Sequence, residues 1–128
     1  MKKEKFTEKE EKIIKKEWWN ILFNCIFAAL ALLITILFYK NNLLGTILLL
    51  IISIIGLLKW KSWVTLIIFL FGALWGPISE SIAIRAGVWE YAVPNFFNVP
   101  IWLFVLWGIA AAFLYQTALE FRKLGVKK

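Results

Sequence analysis

Residues 72–107 read GALWGPISESIAIRAGVWEYAVPNFFNVPIWLFVLW. The stretch begins inside one long apolar run and ends inside another. Between them lie Gly87, Pro94, Pro100 and a dense set of aromatic residues. Neither apolar run alternates with period two, so neither reads as a β-strand. Each reads as a helix buried on all sides, and the connecting loop is too aromatic for an ordinary solvated linker. Glu80 stands inside the first of these runs. A charged side chain within a membrane span is costly, so it marks a functional-site hypothesis by default.

Working outward, two further apolar runs precede this stretch. The four spans are expected at 20–39, 43–60, 63–86 and 101–121. At ~1.5 Å per residue a 20-residue helix reaches ~30 Å, the thickness of a hydrocarbon core. The composition agrees, being 62% hydrophobic. A small soluble domain could not hide that much apolar surface. The fold class is therefore an all-α membrane protein with four transmembrane helices over residues 20–121. A transmembrane β-barrel would need short alternating strands, and none is evident.

Charge sets the expected orientation. The lysines of residues 1–19, Lys59, Lys61, Arg122, Lys123, Lys127 and Lys128 fall on one side, and Lys40 and Arg85 on the other. The excess of basic residues in cytoplasmic loops then puts both termini inside, N-in and C-in, in a cell membrane. Residues 122–128 form a basic cytoplasmic tail. Residues 1–19 are read as an amphipathic cytoplasmic helix with a Thr7–Glu10 capping box, its lysines near lipid headgroups or serving only to set topology. Trp18, Trp19, Trp60 and Trp63 fall at the expected inner boundary. The net charge of +7 does not point to nucleic acid, because glutamates are interspersed among the N-terminal lysines. With one cysteine, Cys25, and no histidine, neither a disulfide within the chain nor a usual zinc site is expected, and no cofactor is implied. The richness in Lys, Ile and Asn suggests a prokaryotic source.

Within the third span, Gly72, Gly76 and Glu80 are four apart and share one face. The two glycines allow close approach of another helix, in this chain or in a second copy. Pro77 removes a backbone donor and predicts a kink near residues 73–76. Glu80 is expected ~9 Å in from the outer boundary by helical rise. Loss of water favours the neutral carboxyl group, which suits a general acid or a proton carrier. The competing reading is a structural glutamate bonded to a neighbouring helix. Arg85 is five residues on and badly placed to pair with Glu80 along one helix face. It is expected to reach headgroups or Glu90, unless Gly87 ends the helix and turns the chain back. The loop VWEYAVPNFFNV is expected to lie in the interface as an aromatic belt or to fold over Glu80 as a lid. In the lid reading Trp89, Tyr91 and the start of the fourth span, with Trp102 and Trp107, complete a pocket. Asn24, Tyr115 and Gln116 read as polar contacts between helices.

The pattern Glu80 … Gly87-x-Trp89-x-Tyr91 … Val99-Pro100-x-Trp102 … Trp107 resembles the core signature of integral-membrane carotenoid biosynthesis proteins, of the carotenoid 1,2-hydratase and membrane lycopene cyclase types. It is also similar to small four-span families of unknown function. The resemblance covers about residues 72–108. It implies Glu80 as the catalytic acid on a polyene or other isoprenoid. It implies Trp89 and Tyr91 as aromatic faces stabilising cationic character. Trp102, Trp107 and Arg85 are taken with them as candidate substrate contacts. Assembly as a homo-oligomer would suit so small a chain. Two other classes stay open on the residues alone. A small proton-coupled transporter would use Glu80 as a carrier, and a membrane scaffold would use it only for packing. The expected partners are membrane lipid and a hydrophobic small molecule.

Overall fold

In the computed structural model, residues 8–125 are described. They form four helices: α1 Glu8–Phe38, α2 Asn42–Trp60, α3 Trp63–Arg85 and α4 Trp102–Lys123. All four are long and apolar enough to cross a membrane, which fits a small polytopic membrane protein. The distribution of side chains fits the same class. Trp63 is 80% exposed and Leu43 72%, whereas Asn24 and Thr65 are fully enclosed. Water would penalise such an arrangement, and a bilayer favours it.

α1 is one uninterrupted helix of 31 residues. The amphipathic segment expected over residues 1–19 is thus, from Glu8 onward, the first turns of the same helix that carries the first span. Thr7, and with it the expected capping box, lies outside the described residues, as do residues 126–128. At ~1.5 Å per residue α1 reaches ~46 Å, longer than a ~30 Å hydrocarbon core.

Short polar caps separate the next elements. The Asn41 side chain accepts from the Leu44 amide at 3.1 Å and starts α2. Lys61 takes a left-handed conformation and closes α2, and the Ser62 hydroxyl then accepts from the Thr65 amide to start α3. Pro77 lies inside α3 and does not end it.

α4 is the hub, packing against α1, α2 and α3, whereas α2 and α3 scarcely meet. Small residues permit this. A Cβ on Gly108 would stand 2.7 Å from the Phe69 ring, and one on Gly72 would stand 2.5 Å from Cβ of Ala111. The Gly72/Gly76 face is therefore filled by α4 of the same chain.

Candidate functional site

The loop between α3 and α4 is built by three local devices. Gly87, at φ +85°, ends α3. The Val88 amide donates to Ala83 and the Gly87 amide to Ile84, a Schellman closure that needs a left-handed residue. The chain is thereby turned back over the end of α3. Next, residues 96–99 make a tight turn with Phe97 and Asn98 both at positive φ, closed by paired backbone bonds between Phe96 and Val99. Finally, the Asn95 side chain accepts from the Ile101 amide at 2.8 Å, capping the approach to α4 from outside the helix.

This path returns Tyr91 to Glu80. The Tyr91 hydroxyl donates to Oε1 of Glu80, and the Trp107 indole N–H donates to Oε2. One carboxylate thus joins α3, the loop and α4. Burial, and then the hydrogen bond to and negative charge of Glu80, push the Tyr91 phenol well above its ordinary value. Tyr91 therefore remains a neutral donor throughout the physiological range. Gly76 makes the arrangement possible, since a Cβ there would stand 2.1 Å from the indole ring of Trp107. Trp102 packs edge-on against Tyr91 with ring centroids 6.0 Å apart. Its own N–H is buried without a hydrogen-bond partner among the described residues. The Asn42 side chain donates to the Val93 carbonyl at 3.0 Å and ties the loop to α2 as well.

The structure therefore brings together Glu80, Tyr91, Trp102 and Trp107. Trp89 is exposed and takes no part in this group. Arg85 pairs with neither Glu80 nor Glu90 among the described residues. It lies instead at a separate cleft of about 400 Å³ beside α3. That cleft is walled by Pro77, Ile78, Ile82, Phe96, Phe97 and Phe104, with Arg85 its only charged residue and Ser81 its only hydroxyl. Glu80 is not part of its lining. The Ser81 hydroxyl donates to the Phe97 carbonyl at 2.9 Å and pins the tight turn against the cleft.

Phe97 is unusual, because a bulky residue at φ +48° is strained. Its ring packs edge-on against Phe96 at 4.5 Å and forms part of the cleft wall. Phe97→Gly should relieve about 1 kcal/mol of that strain, partly offset by lost packing. The variant should thus unfold in mixed detergent micelles at nearly the wild-type denaturant level while losing one wall of the cleft.

A second polar group lies toward the end of the bundle where α1 begins and α4 ends. Asn24 donates to Thr117 at 3.3 Å and accepts from the Trp60 indole at 3.0 Å. Gln116 donates to Thr65 at 2.6 Å. Glu17 and Glu120 are both buried and share Lys123, at 4.0 and 3.5 Å. Asn24 and Gln116 thus join helices as their polarity predicted. Glu17 and Glu120 were not predicted, yet a signal was present. Glu17, Asn20 and Asn24 recur at helical spacing, as do Gln116, Glu120 and Lys123. Asn24→Leu strands the Trp60 donor, and should cost about 1–2 kcal/mol in the same unfolding measurement.

No family model, curated protein or solved structure matches this chain.

Proposed function

We propose that this protein binds a long-chain lipid of isoprenoid or acyl type, holding one apolar chain in the cleft beside α3 and an anionic head against Arg85. The observation that carries this reading is the lining of the cleft: apolar and aromatic walls with one unpaired cation. A lone guanidinium beside an apolar slot suits a phosphate or carboxylate on a hydrocarbon chain, because it forms paired N–H···O bonds with either. The bilayer is itself the source of such molecules. The isoprenoid choice draws on the resemblance carried by residues 72–108.

In this reading Glu80 is the clamp of the loop. Both its oxygens accept from neutral donors, so in this arrangement it is a hydrogen-bond acceptor. Acid chemistry on a bound polyene would require Tyr91 or Trp107 to move away first. The cleft and the clamp share α3 and the loop, so the clamp holds the cleft wall in position.

The test is thermal unfolding in detergent with farnesyl phosphate or with farnesol as the probe. Farnesyl phosphate should raise the unfolding temperature of wild type more than farnesol does, and Arg85→Gln should abolish the difference. Equal shifts with both probes in wild type would overturn the role given to Arg85.

A further inference from the structure

At the other end of the bundle from Glu80, a pocket of about 190 Å³ opens among α1, α2 and α4. Its lining is mainly polar, and each of the three helices contributes one lysine: Lys16, Lys59 and Lys123. The side chains of Asn20, Asn24 and Gln116 also line it. One carboxylate, Glu120, is present and already engaged. Its Oε2 accepts from Asn20 at 3.4 Å, and its Oε1 lies 3.5 Å from Nζ of Lys123. Lys123 also faces Glu17 at 4.0 Å. Lys123 is therefore matched by acidic groups. Lys16 and Lys59 have no ion-pair partner among the described residues. The ammonium of Lys59 sits 4.5 Å from the centre of the Phe23 ring, which restrains it near the pocket.

We propose that this pocket is a phosphate-binding site, taking the phosphate monoester or diester group of an anionic ligand, with Lys16 and Lys59 as its charged contacts. Lys16, Lys59 and Lys123 outnumber Glu17 and Glu120 by one charge, and Lys16 and Lys59 are the two without a carboxylate partner among the described residues, so the opening attracts anions. The amide groups of Asn20, Asn24 and Gln116 each donate once within the bundle, to Glu120, Thr117 and Thr65, and each keeps a second N–H for a phosphate oxygen. The pocket lies one turn or less along α1 from Trp18 and Trp19, both exposed, and exposed tryptophans on a spanning helix favour the level where headgroups meet hydrocarbon. Basic pockets between membrane helices at this level hold phosphate-bearing headgroups. The same chemistry would accept free phosphate, and the two sources separate by experiment.

The full chain is placed in nanodiscs of phosphatidylcholine with a minor share of phosphatidic acid, and retained lipid is counted by native mass spectrometry. Wild type should keep phosphatidic acid in preference to phosphatidylcholine. The double variant Lys16→Gln/Lys59→Gln should lose that preference by roughly thirty-fold, as expected for two boundary lysines near an anionic group. The comparison variant Lys9→Gln/Lys12→Gln removes the same charge from α1 outside the pocket and should keep the preference. Lys123 is left in place because it is the ion-pair partner of both Glu17 and Glu120, so the double variant should fold, as circular dichroism would verify. A parallel titration of inorganic phosphate in pure phosphatidylcholine discs, read by unfolding temperature, identifies the source. A shift in wild type that the double variant lacks assigns free phosphate to the pocket. No shift, with phosphatidic acid still retained, assigns the lipid headgroup. Equal retention in wild type and the double variant, without any phosphate shift, would overturn the proposal. Equal loss in both double variants would also overturn it, since bulk charge alone would then account for binding.

Discussion

Replacing Gly76 by leucine should separate α3 from α4 and lower stability by about 3 kcal/mol, the upper part of the usual overpacking range. The reason is geometric. Even a single carbon added at Gly76 meets the Trp107 ring at 2.1 Å, and a leucine adds three more. Trp107 cannot give way freely, because its indole N–H is bonded to Glu80 and the next residue, Gly108, is in close contact with Phe69. Moving the ring therefore breaks the clamp, and moving the helix breaks the Gly72–Ala111 contact. The same substitution at Gly125, where a Cβ would meet nothing, should be far milder despite its positive φ of 79°. Unfolding in mixed micelles, followed by tryptophan fluorescence, measures both.

The second large effect is expected at Glu80. Glu80→Leu leaves the Tyr91 hydroxyl and the Trp107 N–H without their acceptor. Each stranded donor costs about 1–3 kcal/mol when fully buried. Both groups here are only partly buried, and membrane proteins find substitutes for lost bonds. A total near 2 kcal/mol is therefore expected. Glu80→Gln should cost about half of that, since its amide offers one oxygen and must turn a donor toward the other partner. The loop should also loosen. Proteolysis between α3 and α4 should become faster in Glu80→Leu than in wild type, and a destabilised bundle with an unchanged loop would argue against the clamp.

Much of the fold was legible because its signals are long-range in composition and simple in form. Apolar runs near 20 residues, broken by Asn41, Ser62 and the proline-rich loop, set all four helices. The continuity of α1 was harder to read, since a change from charged to apolar side chains does not by itself interrupt a helix. At the site, Gly87 announced the turn that brings the chain back, and the i, i+4 spacing of Gly76 and Glu80 put both on the face that meets Trp107. Spacing alone could not say that Trp89 points away while Tyr91, two residues on, returns to Glu80. That outcome depends on the left-handed Gly87 and on the ties to α2 and α3 made by Asn42 and Ser81. Nor could it separate the Glu80 clamp from the cleft beside Arg85. The two lie on different faces of α3, with Glu80 and Ser81 about 100° apart around the helix axis. The Glu17–Glu120 group escaped notice because its two halves lie about a hundred residues apart, and only packing unites them.

The measurement that bears most directly on the lipid-binding reading is mass spectrometry of lipids retained by protein extracted in native membrane patches. Wild type is compared with Ile82→Trp, which fills the cleft, and with Arg85→Gln, which removes its cation. Lipid binding in the cleft requires a long-chain anionic species enriched with wild type and depleted in both variants. The same bulk phospholipids in equal amounts from all three proteins would contradict it.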